Sequence, residues 1–321
     1  MAKVLVLGGA GFIGRHVAAA LIERGHEVVI GSRHPRRALL RLRGRARECE
    51  RREAHLDWLT AAANWAPLLR DIEVVVNAVG ILRERGFETY ARVHCYGPAA
   101  LAAACAARGI RLVHVSALGL REDAASRFIR SKFWGERAVL KAGGDCIVVR
   151  PSLLDGEGGF GARWLRRVAA WPVQFLPKSA TGLIAALHVE DLAEAIAWLC
   201  ERSLAPQSRE VELGGAASRP LGAYLAALRA CHGLPQARVV KVPGWLARLG
   251  SHLFDLLHFS PFSFGHYELL RHDNVPAMNA LPLLLSHPPR SLGERERSRE
   301  FRIPARPASL PGLRDVGDPA S

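Results

Sequence analysis

The sequence predicts an α/β fold: a doubly wound parallel sheet with a smaller C-terminal lobe. Three observations carry this reading. Lys3 to Leu7 is a short apolar run followed directly by a glycine-rich turn, Gly8 to Gly14, and then by a helical stretch, Arg15 to Glu23. Further apolar runs, His26–Gly31, Ile72–Asn77, Arg111–Ser116 and Cys146–Arg150, recur at intervals long enough for a crossover helix between them. The apolar run over Ile72–Asn77, with Val74-Val75-Val76 at its centre, is that of a parallel strand buried on both faces. At 321 residues and 49% hydrophobic content, the chain can bury one large core with a lobe attached.

In the first turn, glycines at positions 8, 11 and 14 between a strand and a helix place backbone N–H groups and the positive end of a helix where a pyrophosphate can lie. The turn is therefore read as a dinucleotide site, with Gly8, Gly11, Phe12, Ile13 and Gly14 as its residues. A side chain at Gly11 is expected to occupy the pyrophosphate position with the fold left intact. The second strand, His26 to Gly31, ends in Ser32-Arg33-His34-Pro35-Arg36-Arg37. An acid at this strand end would hold the ribose 2′-hydroxyl of NAD, whereas an arginine pairs with the 2′-phosphate of NADP. No acid is present, and Arg33 has the planar fork that suits a phosphate, so NADP(H) is favoured over NAD(H). The alternative is a solvated arginine in an Arg-rich stretch. Leu39 to Arg52 reads as a helix and the approach to the third strand, which Leu56-Asp57 closes. On its own residues, Asp57 reads as the N-cap of a helix that starts near Trp58. Phe87 to Cys105 reads as one long helix.

Composition excludes other classes. No run of about 18 apolar residues suggests a membrane span, and the strand that starts by the third position leaves no room for a signal peptide. Six scattered cysteines with no Cys-x-x-Cys pair suggest neither a disulfide framework nor a metal site. A reduced, cytoplasmic protein is expected. The net charge of +14 fits an anionic partner such as nucleic acid or a membrane surface. However, only five of the 44 basic residues are lysine, an arginine bias that genome composition also produces, and no specific nucleic-acid partner is expected.

The Gly-x-x-Gly-x-x-Gly spacing with Phe12-Ile13 resembles that of the extended and atypical short-chain dehydrogenase/reductases. The resemblance extends over roughly residues 3 to 275, through Asn77-Ala78-Val79-Gly80, Ser116, Lys132, Arg150-Pro151-Ser152 and His188-Val189-Glu190-Asp191 to Ile196. It implies that Asp57 lies near the adenine and that Ala78, Val79 and Gly80 run under the adenosine and ribose. It also implies that Ser116 holds a substrate oxygen, that Lys132 reaches the nicotinamide ribose, and that Pro151 and Ser152 lie beside the nicotinamide. His94 stands where extended members usually carry Asn. Active members have Tyr-x-x-x-Lys on a helix, where i and i+4 share a face and the phenol exchanges a proton with the substrate. Here that register reads Phe128-Ile129-Arg130-Ser131-Lys132. The lysine is present and the phenol is replaced by a ring with no ionisable proton.

The remaining segments complete the layout. Residues 1–152 form the NADP(H)-binding core. Residues 153–275 form a substrate lobe interleaved with core-completing segments near 185–214, and 276–321 form an extended tail rich in proline and mixed charge. His188 is read as a capping or packing residue, or else as a pocket residue. From Val242, Trp245, Leu246, Leu249, Leu253, Leu256 and Leu257 recur at helical spacing, the pattern of a packed lobe helix or of an amphipathic surface for lipid or a partner.

Within the family, the resemblance is closest to the branch of the Rossmann-type accessory subunit of respiratory complex I. It implies NADP(H) binding without the usual proton transfer. The expected function is that of a cofactor-binding structural or regulatory protein tied to a respiratory-chain or quinone-pathway partner, peripheral to the inner membrane. The alternative is an active NADPH-dependent reductase or epimerase with a different proton donor.

Overall fold

Seven parallel strands form one sheet in a computed structural model that describes residues 1–156, 158–202, 209–257 and 263–290. In chain order the first six are β1 (Lys3–Leu7), β2 (Glu27–Ser32), β3 (Glu50–Glu53), β4 (Val74–Asn77), β5 (Arg111–Val115) and β6 (Cys146–Pro151). The strand Glu210–Leu213 is the last. Across the sheet the order is Glu210–Leu213, β6, β5, β4, β1, β2, β3. The chain thus leaves β1 in one direction and returns beside it with β4. Ligands bind at that switch point in open α/β sheets, outside the carboxyl ends of the strands.

The central strands are buried on both faces, which explains their unbroken apolar runs. Val4 and Val6 face one layer, where α1 (Phe12–Glu23) lies against α6 (Val189–Glu201) through Val17, Leu21, Leu192 and Ile196. Leu5 and Leu7 face the other, filled by Trp65, Leu101 of α3 (Gly97–Ala106) and Val139 of α4 (Arg127–Lys141). Fully burying one such aliphatic side chain is worth about 1.5–3 kcal/mol. A separate small core joins α5 (Phe160–Ala170) to α7 (Leu221–Cys231) through Val168, Leu176, Tyr224, Leu225 and Leu228.

Four expectations are corrected. Beyond the short α2 (Pro35–Ala38), Leu39–Arg52 leads into β3 as expected, but in place of a helix it holds a 3-10 turn, Gly44–Arg47, entered through Gly44 in the left-handed region (φ +55°). No helix starts at Trp58; a 3-10 turn at Ala62–Trp65 takes its place, pinned by the Trp65 indole N–H donating to the Leu59 carbonyl at 3.0 Å. The long helix over Phe87–Cys105 begins as a π-helical turn, Ala91–Tyr96, before α3. Pro98 has no N–H to give the carbonyl of His94 four residues back, so the α-ladder cannot form there. That carbonyl sits so close to Gly135 of α4 that any side chain at 135 would collide with it.

The fourth correction concerns the start of the tail. Residues 276–290 are docked on the main domain. The Ala280 N–H donates to the Glu212 carbonyl, Leu281 is fully buried, and Arg290 pairs with buried Asp191 and with Glu194 of α6. Residues 291–321 lie outside the described part.

Candidate dinucleotide site

Gly8 adopts φ +72°, a conformation that strongly favours glycine, and a Cβ there would lie 3.1 Å from the Ala78 carbonyl oxygen. The turn is closed by the Gly8 N–H on the Gly31 carbonyl (2.9 Å) and the Gly11 N–H on the Gly8 carbonyl (2.7 Å). Gly14 packs directly on this turn, where a Cβ would overlap the Gly8 carbonyl. Gly11 is the N-cap of α1, and Phe12, Ile13 and Gly14 are its first three residues, whose N–H groups precede any intrahelical acceptor. The cradle therefore has the shape and free donors that a pyrophosphate needs. One expectation changes. A Cβ on Gly11 would stand 2.9 Å from the Gly8 carbonyl oxygen, so a bulky residue there strains the turn itself as well as filling the phosphate position. The Phe12 ring lies against Gly156 and Gly159.

At the ends of β2 and β3, Arg33 is half-exposed and ion-paired with Glu88. Asp57 is buried, and among the described residues its carboxylate makes no hydrogen bond; only its backbone carbonyl is engaged, by Arg92 at 3.0 Å. Beside it, His55 stacks on Trp58 with ring centroids 4.1 Å apart, and His34 meets His55 edge-on. This aromatic shelf carries no sequence motif, because two histidines and a tryptophan from two loops build it.

At the end of β4, Ala78 donates its N–H to the Leu7 carbonyl (3.1 Å) and Val79 lies against Gly8, so the β4 end and the first turn form one surface. Asn77 is fully buried and orders this corner: its amide meets His114 Nδ1 at 3.1 Å, and its Oδ1 accepts from the Val79 N–H. Gly80 faces Lys132, with a Cβ there only 3.8 Å from Lys132 Nζ. Among the described residues the Lys132 ammonium makes no hydrogen bond or ion pair. Burial pushes its pKa down to about 8, although Glu136 one turn along opposes the shift. A cation that faces the open end of β4 without a fixed carboxylate is what a ribose hydroxyl or a phosphate requires.

His94, the departure from the usual Asn, is buried between these pieces. Its Nε2 accepts the Ile81 N–H at 3.1 Å, which puts the ring proton on Nδ1, 2.9 Å from Ser131 Oγ; that hydroxyl in turn donates to the Phe128 carbonyl. Burial, then the Lys132 charge, holds its pKa well below the usual histidine range, so the ring is neutral. Burial likewise lowers the His114 pKa to about 3. Phe128 stands among Tyr90 (5.9 Å), His94 (5.6 Å) and His266 (6.2 Å, stacked), by ring centroids. Tyr90 is remote from Phe128 in sequence, and His266 belongs to α9 (Phe264–Leu269); only the tertiary fold brings them to this ring. Glu268, also of α9, holds the start of α4 by accepting from the Ala125 and Ser126 N–H groups and from Arg121.

The Ser116 hydroxyl donates to Glu136 at 2.6 Å, and Glu136 is also bound by Arg150. The side chain expected at a substrate oxygen is thus held in a buried network beneath the site. Ser152 likewise does not point to an open surface. Its hydroxyl bonds the Asn274 carbonyl (2.7 Å) and the Asn274 side-chain oxygen (2.8 Å), while Pro151 is buried and accepts the Leu118 N–H on its carbonyl. Asn274 also reaches the Leu118 carbonyl, tying the ends of β5 and β6 together, a role that its place near the expected tail did not suggest. His188 is the N-cap of α6 and accepts the Glu190 N–H.

Residues 4–214 match the model of the NAD dependent epimerase/dehydratase family. A ceramide reductase of Caulobacter vibrioides is 32% identical over 198 residues, 61% of this chain and 60% of that protein. Subunit 9 of the NADH dehydrogenase [ubiquinone] 1 alpha subcomplex of Dictyostelium discoideum, a mitochondrial protein, is 38% identical over 93 residues, 28% of this chain and 26% of that protein. The chain therefore spans less than two thirds of either relative. Among solved structures, the NADPH complex of the Escherichia coli quinone oxidoreductase QOR2 superposes with a TM-score of 0.67 at 18% identity, covering 93% of this chain and 99% of that one. The NAD complex of a Bacillus anthracis dTDP-glucose 4,6-dehydratase gives 0.66 at 16% identity, covering 94% and 97%. At such identities the likeness is one of fold, and it agrees with the parallel sheet and switch-point turn described above. With the family model matched over well over half its length, the chain belongs to the NAD dependent epimerase/dehydratase family.

Proposed function

We propose that this protein binds NADP(H) across the first turn and the β4 end, and serves as a cofactor-holding component in which the usual tyrosine-dependent proton transfer is lost. The observation that carries the reading is Lys132, an ammonium without a fixed partner at Gly80, with a phenylalanine one turn before it. Gly8, Gly11, Ile13 and Gly14 would hold the pyrophosphate, Ala78 to Gly80 the adenosine side, and Lys132 the nicotinamide ribose. Pro151 and Ser152 would border the nicotinamide through their backbone. Arg33 would exchange Glu88 for a 2′-phosphate, and Asp57, buried with no hydrogen-bond partner on its carboxylate, would accept from an adenine amine. When bound, the nicotinamide supplies hydride chemistry. The helix position one turn before Lys132 offers it no phenol, and Ser116 is engaged by Glu136. The partial match to a subunit of NADH dehydrogenase [ubiquinone] supports a respiratory-chain or quinone-pathway partner at the membrane periphery.

A second reading has its own observation. Tyr90 and His266 flank the Phe128 ring, so an acid from outside the helix is within reach of the position that the phenol occupies in active relatives. A reductase using one of them is consistent with the match to a ceramide reductase.

One experiment separates the two. NADPH and NADH are titrated by nicotinamide fluorescence against wild type and Arg33→Asp, and NADPH oxidation is followed with a panel of quinones and small ketones. Tight NADPH binding, weakened in Arg33→Asp and without turnover, is the expected result. Turnover that collapses in Tyr90→Phe or His266→Ala establishes the reductase reading instead, and equal wild-type affinities for the two dinucleotides remove the NADP(H) assignment.

A further inference from the structure

Helix α8 (Gly244–Leu257) turns its large apolar residues the wrong way for a packed lobe helix. Trp245, Leu249 and Leu253 follow one another at i, i+4 and i+8, with Leu246 beside them, and they are 70%, 62%, 51% and, for Leu246, 45% exposed. The small residues face the protein. Ser251 is fully buried, and the Gly244 carbonyl accepts from the Tyr267 hydroxyl at 3.1 Å while its Cα lies against Ser179. The helix is anchored to α9 by His252 stacked on Phe264 (4.3 Å) and by the Arg248 guanidinium over the same ring. The apolar stripe is therefore presented on a fixed mount, and its orientation is built into the contacts behind it.

The described charged residues beside the stripe are basic. Between Glu212 and Asp255 the sequence contains no acidic residue. Arg238 and Lys241, on the strand that leads into α8, and Arg248 on the helix itself are all exposed. Single exposed apolar residues need no explanation, but a contiguous stripe of a tryptophan and three leucines does. The described charged residues beside the stripe, Arg238, Lys241 and Arg248, are cations, the sign that an anionic surface attracts. Tryptophan favours the headgroup level of a bilayer, leucines insert beneath it, and arginines and lysines at the rim meet anionic lipid.

We infer that α8 is a membrane-surface anchor that lays Trp245, Leu246, Leu249 and Leu253 into an anionic lipid bilayer, with Arg238, Lys241 and Arg248 on the lipid headgroups. No helix among the described residues is long and apolar enough to cross a membrane, so the contact is peripheral. The inference rests on α8 and its surroundings and is independent of what the dinucleotide site does.

The test is vesicle flotation of the full chain with phosphatidylcholine vesicles, with or without phosphatidylglycerol. The wild type should float with the phosphatidylglycerol vesicles, and high salt should weaken the binding. Trp245→Ser/Leu249→Ser should reduce partitioning by at least about tenfold, and Arg238→Glu/Lys241→Glu should remove the preference for anionic lipid. Unchanged melting temperatures of both variants show that the fold survives. Failure of the wild type to float, or flotation untouched by the serine pair, overturns the proposal. So does a wild-type dimer in light scattering that the serine pair converts to monomer, since the stripe would then cover a second copy of this chain.

Discussion

Phe128 and Lys132 share one face of α4, the ammonium 6.0 Å from the centroid of the ring one turn before it. In the proposed reading, this pair keeps the cation of the family's proton-transfer helix and lacks its acid. The ring is also built into its surroundings: Gly265 of α9 approaches so closely that a Cβ there would lie 3.1 Å from Phe128 Cδ1.

This pairing makes Phe128→Tyr a gain-of-function test. One placed general acid is worth roughly a hundred- to ten-thousand-fold. On any carbonyl substrate that fits, the tyrosine variant should exceed wild type by a factor in that range, measured as NADPH oxidation, and the gain should vanish in Phe128→Tyr/Lys132→Ala. Robust wild-type turnover that Phe128→Tyr leaves unchanged would show that the proton comes from elsewhere.

Lys132 sets a pH dependence whose sign follows from its lowered pKa. Below about pH 8 the side chain is an ammonium, and above it the charge is lost. Affinity for the anionic dinucleotide should therefore fall as pH rises through about 8, by up to about tenfold per pH unit, and Lys132→Met should abolish that slope. Stability of the cofactor-free protein should move the opposite way. Unfolding returns the lysine to its ordinary value of 10.5, so between about pH 8 and 10.5 the unfolded chain binds more protons, and the penalty of burying the charge is relieved as pH rises. Lys132→Met should then melt above wild type at pH 7, with the margin shrinking towards pH 10.

Ser116→Ala separates a packing role from a substrate role. Its hydroxyl donates at 2.6 Å to buried Glu136, and losing one donor from a buried carboxylate costs about 1–3 kcal/mol. Urea unfolding should report a loss of that size, with Arg150 retaining the carboxylate and NADPH affinity nearly unchanged. A variant of wild-type stability that loses turnover would place the hydroxyl at the substrate instead.

Arg290→Met tests whether the C-terminal segment is part of the fold. Asp191 is fully buried and depends on the Arg290 guanidinium and backbone N–H. Removing one member of a buried ion pair costs about 3–5 kcal/mol, and the surviving N–H should keep the loss near the lower end. Chain truncated before residue 276 should be less stable still, because buried Leu281 goes with it.

The sequence by itself determined the parallel sheet and its first turn, because strand runs, glycine spacing and helix periodicity are local. Gly8 and Gly14 each answer to backbone atoms a few residues away or to the adjoining strand end, and Lys132 lies one turn from Phe128 on a single helix. Even the capping role of His188 was legible, since its acceptor geometry involves only Glu190. The tertiary structure alone decided where the long-range partners fall. Ser116 reads as a site residue until Glu136 is found opposite it, and Asn274 looks like the start of a tail until it closes the ends of β5 and β6. Tyr90 and His266 reach Phe128 from segments far off in the chain, and the Trp245 stripe, whose spacing favours a packed lobe helix over an outward-facing surface, faces out. Periodicity places side chains on one face of a helix but carries no information about what that face meets. That depends on which neighbours the fold leaves to cover it.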